Sequence, residues 1–383
     1  MKRNSFLRNE RLEYLIEKKT WGVPGIGAQN IGFKIGQKSG LILQSPSPTP
    51  AVIAKYYRHI ATYNNPFRND TPSKNKVNGV ARQIALCKET IGVMPTNIFQ
   101  VGCSDGYTLH RFNQAGATHV AGVDPSEACK KVAYSLYNLD TIIGSFEEIK
   151  IKKHFDLMIF THVLEHLYDP LKSLKKSASL QNENGYILVE VPLFERERLF
   201  PPGYFTFEHL NYFSEGTLLE LLSKAGYSPQ FIGKYFYNEN YPVVTVIAKK
   251  DSNVLYHQAA DYYKNKKEFG GYIKKEAKTW KKKKLKILNE IKKTDKVFIY
   301  GCGIHTTQLL AFTSLKDEIK IEGLLDSNPS KWGTNIDGII CKDIKNIEIT
   351  KDTAIIISSY ASQEEIYSSL KNTYKCKLLK LYT

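Results

Sequence analysis

The sequence predicts an α/β fold made of two units, each a parallel sheet covered by helices. Three observations carry this expectation. Short apolar runs alternate with helical patterns over residues 71–250 and again over 296–383, the alternation that favours parallel strands with helices on both faces. In each half an early strand runs into a glycine turn: Asn97 to Val101 into Gly102, and Lys296 to Tyr300 into Gly301. In each half the next strand ends in an acid, Asp124 after Thr118 to Val123 and Asp326 after Ile319 to Leu325. With 383 residues, 42% hydrophobic and 24% charged, the chain has ordinary globular composition and room for two or three domains.

Four consecutive segments are expected. Residues 1–70 read as an irregular N-terminal arm, rich in Gly from Gly22 to Gly40 and in Pro from Ser45 to Pro50. Residues 71–250 hold seven strands. After the first two come Thr141 to Phe146, Phe155 to Phe160, Tyr186 to Val191, then Ser228 to Tyr237 and Val243 to Lys249 as a closing antiparallel pair. Ser214 is placed to N-cap a helix with Leu218, Leu219, Leu222 and Ala225 on one face, and Gly226 follows it. Residues 251–295 read as a basic helical connector, and 296–383 as a second, smaller α/β domain with a helix from Thr307 to Phe312 and a strand from Ala354 to Ser358.

The formal charge of +16 is concentrated. Residues 249–296 carry 16 lysines against six acids, including Lys281 to Lys284, on apolar positions Tyr262, Phe269, Ile273, Trp280, Leu285, Leu288 and Ile291 at helical spacing. The simplest reading is a helix with a solvated lysine face; attraction of an anionic substrate or an acidic membrane surface is the alternative. The remainder is only mildly basic, which argues against a dedicated nucleic-acid surface. No apolar run reaches the roughly 18–20 residues that span a bilayer, and the charged first 19 residues lack a secretory h-region. The six cysteines form no C-x-x-C pair, so neither a zinc knuckle nor a disulfide framework is expected, and a cytoplasmic, reduced protein is the simplest reading.

A ligand at the carboxyl ends of parallel strands meets backbone, so the first turn must be glycine-like, and an acid about 20 residues on can accept both ribose hydroxyls. Gly102 and Asp124 stand there. The dinucleotide spacing G-x-G-x-x-G is not met, because Ser104 and Tyr107 occupy the later glycine positions. The wider spacing Gly102 to Gly106 in Val101-Gly102-Cys103-Ser104-Asp105-Gly106 resembles motif I of the class I methyltransferases, and Thr161-His162-Val163-Leu164-Glu165-His166-Leu167-Tyr168-Asp169-Pro170 resembles their V-L-E-H…D-P segment. The resemblance implies a seven-stranded Rossmann-like sheet, S-adenosylmethionine (SAM) as cofactor, and cofactor contacts at Gly102, Asp105, Gly106 and Asp124. It also makes Ser145 and Phe146, in the turn after strand three, candidates for adenine, and His162 for the cofactor face.

The segment Phe205-Thr206-Phe207-Glu208-His209-Leu210-Asn211-Tyr212-Phe213-Ser214 sets a Glu-His pair beside aromatic walls. It resembles the E-H-x-x-Y-F-S signature of the nucleotide-sugar C-methyltransferases. That resemblance implies a sugar or nucleotide-sugar acceptor, or a surface-glycan precursor of polysaccharide biosynthesis. It further implies His209 as general base, Glu208 as its positioning partner and His166 as a further catalytic candidate. The alternative is that Glu208 and His209 cap the next helix, and that Glu165 and His166 only hold their loop. One of Tyr56, Tyr57 and Tyr63 could reach the site. No metal ligand set is expected, because methyl transfer from a sulfonium needs none.

The second unit, with Tyr300-Gly301-Cys302-Gly303 and Asp326-Ser327-Asn328-Pro329-Ser330-Lys331, resembles the C-terminal Rossmann-like domain of the same sugar family. Thr306 in the third glycine position weakens NAD binding there. Two departures stand out. Residues 1–86 contain no Cys, so the family's N-terminal zinc module is absent. Thr206 replaces a tyrosine of the C-methylating members, with Tyr204 two residues away, which leaves O-methylation equally open. The competing functions are an RNA methyltransferase, suggested by the charge, and a non-catalytic SAM- or nucleotide-binding scaffold. Partners are otherwise limited to the small-molecule substrate and a possible homo-oligomer.

Overall fold

A computed structural model of the chain describes residues 1–23, 26–59, 72–195, 200, 204–237, 241–291, 296–360 and 362–382. The N-terminal segment departs from expectation. It is not irregular but folds into β1 (Leu12–Val23), β2 (Gly27–Gly36), β3 (Ile42–Gln44) and α1 (Pro50–His59). Among the described residues, Gly27 and Gly36 stand at the ends of β2, Gly40 lies between β2 and β3, Pro50 opens α1 and Gly32 lies inside β2; the three strands belong to a four-stranded sheet.

The central sheet follows. Ser73 caps α2 (Lys74–Ile91), and Gly92 at φ +83° ends it. Then come β4 (Asn97–Val101), α3 (Tyr107–Gln114), β5 (His119–Asp124), α4 (Glu127–Tyr137), β6 (Ile142–Ile143), β7 (Phe155–Thr161), α5 (Pro170–Ser179), β8 (Gln181–Pro192), β9 (Asn211–Tyr212), α6 (Glu215–Lys224), β10 (Tyr227–Phe236) and β11 (Pro242–Lys250). The seven strands lie in the order β10-β11-β8-β7-β4-β5-β6. All neighbours are parallel except β11, which runs antiparallel to both β8 and β10. Leu157 to Phe160 in β7 are buried on both faces, as a central parallel strand requires. The strand expected over residues 141–146 is only two residues long; Gly144 at φ +149° turns the chain out of it. Ser214 caps α6 through a reciprocal capping box with Thr217.

β9 is the element that links the N-terminal sheet to the site. It lies in the Phe205–Ser214 segment and pairs antiparallel with β3, Ile42 opposite Tyr212 and Leu43 opposite Asn211.

The lysine-rich stretch is helix α7 (Tyr262–Glu290). Its buried seam runs through Asn265, Phe269, Tyr272, Glu276, Trp280, Lys283 and Ile287, one residue off the expected seam at Ile273 and Leu288. Leu285 is exposed. The chain then forms β12 (Lys296–Tyr300), α8 (Ile304–Thr313), β13 (Ile321–Leu325), β14 (Asn335–Ile336), β15 (Ile339–Lys342), β16 (Thr353–Ile357), α9 (Gln363–Thr373) and β17 (Lys377–Lys380), in sheet order β14-β15-β13-β12-β16-β17.

Packing divides the chain into Met1–Ile16, Gly32–Pro201 and Glu208–Phe269 as one compact unit, and Glu17–Ile31, Pro202–Phe207 and Gly270–Thr383 as the other. The pieces do not run consecutively along the chain as expected from the sequence, since Glu17–Ile31 and Pro202–Phe207 belong to the second unit. Among the described residues no helix is long and apolar enough to cross a membrane.

Candidate active site

The site lies in the first unit, at the carboxyl ends of β4, β5 and β7. Between β4 and α3 the turn passes through positive φ at Gly102 (+67°), Ser104 (+48°) and Gly106 (+78°). A Cβ on Gly102 would sit 2.5 Å from Val163 Cγ2, in the loop after β7, so only glycine fits that approach. The turn is tied to the next strand by the Gly102 and Cys103 amides, which donate to the Val123 carbonyl at 2.9 and 3.1 Å.

Asp124 ends β5 and is 5% exposed. The Ser104 amide donates to its Oδ2 and the Ser126 amide to its Oδ1, each at 2.9 Å. Burial raises its pKa, while these two amides oppose the rise. The amides hold the carboxylate across the mouth of the glycine turn, with lone pairs left for hydroxyl donors. This cradle, closed to any Cβ and faced by one anchored carboxylate, fits a ribose-bearing cofactor.

The other candidates around the turn are placed as follows. Asp105 serves the turn itself: its carboxylate accepts the Tyr107 amide at 2.9 Å and pairs with Lys76. Ser145 accepts the Glu147 amide at 3.3 Å. Phe146 is used by the core, edge-on to Phe160 at 5.9 Å and beside Phe99 at 6.0 Å, so its ring is not free to stack on a base. His162, at φ +54°, follows β7 with its amide on the Glu190 carbonyl at 2.8 Å. Its ring packs against Tyr237 at 5.4 Å and Tyr241 at 6.3 Å.

Beyond this loop the two Glu-His pairs meet. Leu210 donates its amide to the Glu165 carbonyl at 2.7 Å, which clips the Glu208-His209 loop to the loop after β7. Gln44 in β3 donates to the His209 carbonyl at 2.6 Å. Asn211 donates to the Leu164 and Leu167 carbonyls at 3.0 and 2.8 Å, and Arg3 donates to the Leu210 and Tyr168 carbonyls and to Asn211 Oδ1 at 2.7 to 2.8 Å. Asn211 was legible only as a letter of the E-H-x-x-Y-F-S segment; Gln44 and Arg3 carried no sequence signal.

The result is a cluster around Glu165, a carboxylate 1% exposed. His162 Nδ1 and His166 Nε2 lie 3.5 and 3.6 Å from its Oε1, and the His166 and His209 rings are 4.9 Å apart. Two tyrosines of α1 close it. The Tyr57 hydroxyl is 2.7 Å from His166 Nδ1, and the Tyr56 hydroxyl donates to Glu208 Oε1. Tyr63 lies outside the described residues. Tyr204 is buried against Phe205 and Tyr272. No metal ligand set was expected from the sequence; Glu165, His166 and His209 each offer a ligand atom within 4.8 Å of the others, a spacing that could hold a metal ion.

The charges in the cluster are divided. Burial opposes ionisation of Glu165, but His166 and His162 more than offset it and hold its pKa below the ordinary carboxylate value. Burial would likewise strip the proton from His162, but Glu165 and Glu190 outweigh it and raise that pKa. His209 behaves oppositely: burial first, then the neighbouring His166, push it down to about 3. Its neutral form is the folded form. Below the unfolded pKa near 6.5 the unfolded chain takes a proton that the folded chain refuses, so the contribution is present at pH 7 and lost as pH falls. Denaturant melts should show wild type losing about 1–2 kcal/mol more than His209→Asn between pH 7 and 5; equal losses would show that His209 is not buried neutral.

Comparison with known proteins bears on the same residues. Residues 67–230 match the family model described as a methyltransferase domain, and residues 293–377 match one described as C2185-like, N-terminal. A tRNA U34 carboxymethyltransferase of Cellvibrio japonicus is 29% identical over 143 residues, covering 34% of this chain and 44% of that protein. A ubiquinone biosynthesis O-methyltransferase of Rhodopseudomonas palustris is 28% identical over 160 residues, covering 38% of this chain and 62% of that protein. The chain thus spans about half the length of the curated relatives it matches. The solved structure of magnesium protoporphyrin IX methyltransferase from Synechocystis with bound SAH has a TM-score of 0.43 at 17% identity, covering 53% of this chain and all of that one. From the strand order, the glycine turn with its acid and the family match, residues 67–230 are a class I SAM-dependent methyltransferase domain.

Proposed function

We propose that the whole chain transfers a methyl group from SAM to a sugar, carried on a nucleotide or on a glycan precursor, with His209 as general base. The observation that supports this reading is the closed cluster of Glu165, His166, Glu208 and His209 with Tyr56 and Tyr57, on a loop whose Val163 touches the glycine turn. SAM, when bound, supplies an already activated methyl group. The protein has then to align the acceptor and take its proton. Neutral His209 offers an imidazole nitrogen able to accept a hydroxyl proton or the proton beside a carbonyl. The buried Glu165 carboxylate stands by to stabilise the imidazolium that forms. Tyr56 and Glu208 form a hydrogen-bonded pair suited to fix a polyol by donor and acceptor together.

The test is mass spectrometry with isotope-labelled SAM and a panel of keto and hydroxy nucleotide sugars, with bulk RNA in parallel. Label on a sugar is the expected outcome. Loss of the proton beside the carbonyl would mark carbon as the acceptor, and gain on a hydroxyl would mark oxygen. Label in RNA alone would overturn the sugar reading in favour of an acceptor like that named for the Cellvibrio relative.

A further inference from the structure

We propose that the second unit holds a ribonucleotide of its own, in the crevice at the carboxyl ends of β12, β13 and β16. The proposal rests on neither the methyl transfer nor the sugar acceptor.

The second unit repeats the cofactor device of the first in its backbone geometry. In the first, the Gly102 amide donates to the Val123 carbonyl at 2.9 Å, and Asp124 accepts the Ser104 and Ser126 amides. In the second, the Gly301 amide donates to the Leu325 carbonyl at 2.8 Å. Asp326 Oδ2 accepts the Cys302 amide and its Oδ1 the Asn328 amide, each at 2.9 Å. Gly301 has φ +109°, and a Cβ there would lie 2.9 Å from the Ser358 carbonyl. A carboxylate fixed by two amides at this position offers its remaining lone pairs to a vicinal diol.

The topology puts this carboxylate at the crevice. β12 is parallel to β13 on one side and to β16 on the other. The chain leaves β12 in one direction and returns on the opposite side, which opens a crevice at the strand ends where ligands of such sheets bind. Ser358, the residue after β16, faces this junction: its amide donates to the Tyr300 carbonyl at 2.8 Å. It is 3% exposed, and its hydroxyl lies beside the Tyr382 hydroxyl. Two large aromatics stay exposed on the loops that bound the crevice, Trp332 at 40% after β13 and Tyr360 at 44% after β16. Trp332 is fixed by its indole N–H on the Asp326 carbonyl at 2.8 Å. Exposed, anchored aromatics at such a mouth offer faces on which a base can stack.

The ligand class is a mononucleotide rather than a dinucleotide. The third glycine of a dinucleotide turn lets the helix pack closely on the strand, part of the fingerprint that seats a pyrophosphate. Here Thr306 is buried there, with its hydroxyl donating to the Gly301 carbonyl.

The experiment is calorimetric titration of the full chain, pre-saturated with S-adenosylhomocysteine so that Asp124 is occupied. The probes are ADP and UDP, each against its 2′,3′-dideoxy form. One ribonucleotide should bind, and the dideoxy form should bind at least about tenfold more weakly, as expected for loss of a charge-assisted hydrogen bond. Asp326→Asn should cause a similar loss while leaving S-adenosylhomocysteine binding intact. If Asp326→Asn fails to fold, the ribose against dideoxyribose comparison on wild type still decides. Absence of binding by both nucleotides at millimolar concentration, or binding indifferent to the sugar hydroxyls, would overturn the proposal.

Discussion

His209→Asn is expected to lower turnover by about 10²- to 10⁴-fold, the usual contribution of a positioned general base, and to leave SAM affinity unchanged. The separation is expected because the imidazole and the glycine turn are held by different elements. The His209 backbone is fixed through the Gln44 side chain on its carbonyl and the Leu210 amide on the Glu165 carbonyl, and Asn leaves both in place. The substitution removes the basic imidazole nitrogen, together with the ring's contacts to His166 and Tyr212. Unchanged turnover would end the base assignment. A chelator arm separates the two chemistries that this cluster could support. If Glu165, His166 and His209 hold an ion, chelation should abolish wild-type turnover and a divalent metal should restore it. If His209 is a base, chelation should leave the rate unaltered, and with a pKa of about 3 this residue should not lower the rate until the pH approaches that value.

The sheet and the cofactor turn were legible in the sequence because their signals are local. A short apolar run, a glycine, a helix and an acid about 20 residues on are read within one stretch of chain, and β4, β5, β7 and β8 stand where the alternation placed them. Ser214 was legible because an N-cap is chemistry between a residue and its third neighbour. What was not legible depends on distant pairing. Residues 42–44 look like linker until β9 is known to lie beside them, since a three-residue strand carries no period of its own. The Glu-His pairs were visible as motifs, but not that Glu165 is the buried centre on which His162, His166 and His209 converge, because that requires two loops to be clipped together by Leu210. Phe146 shows the converse. Its position in the turn matched the family, yet the core took its ring, since three phenylalanines meet at that end of the sheet. The seam of α7 was displaced by one residue because alternative apolar positions lie next to each other, and packing chose Tyr272 and Ile287.

The cofactor turn makes the second large prediction. Gly102→Ala should abolish measurable SAM binding, whereas Gly92→Ala should not. Both glycines have positive φ, +67° and +83°, so both substitutions carry the strain of a left-handed residue, about 1–2 kcal/mol. Only at Gly102 does the new methyl also strike a neighbour, Val163 Cγ2 at 2.5 Å; at Gly92 nothing lies within 4 Å. The clash would push the loop after β7 off the turn and carry His162 and Glu165 with it, so turnover should fall together with binding. Asp124→Asn tests the other half of the cradle. The amide side chain has one acceptor oxygen for the two backbone donors that Asp124 satisfies, and it can no longer offer a charged acceptor to ribose hydroxyls. A loss of about 10- to 100-fold in SAM affinity is expected, the range of about 1.5–3 kcal/mol for a hydrogen bond to a charged group. Calorimetry on the three variants decides the matter. Equal, small losses at Gly102 and Gly92 would mean that backbone strain alone is felt and that the close approach of Val163 does not shape the site. Undiminished binding by Asp124→Asn would move the ribose contact to another residue.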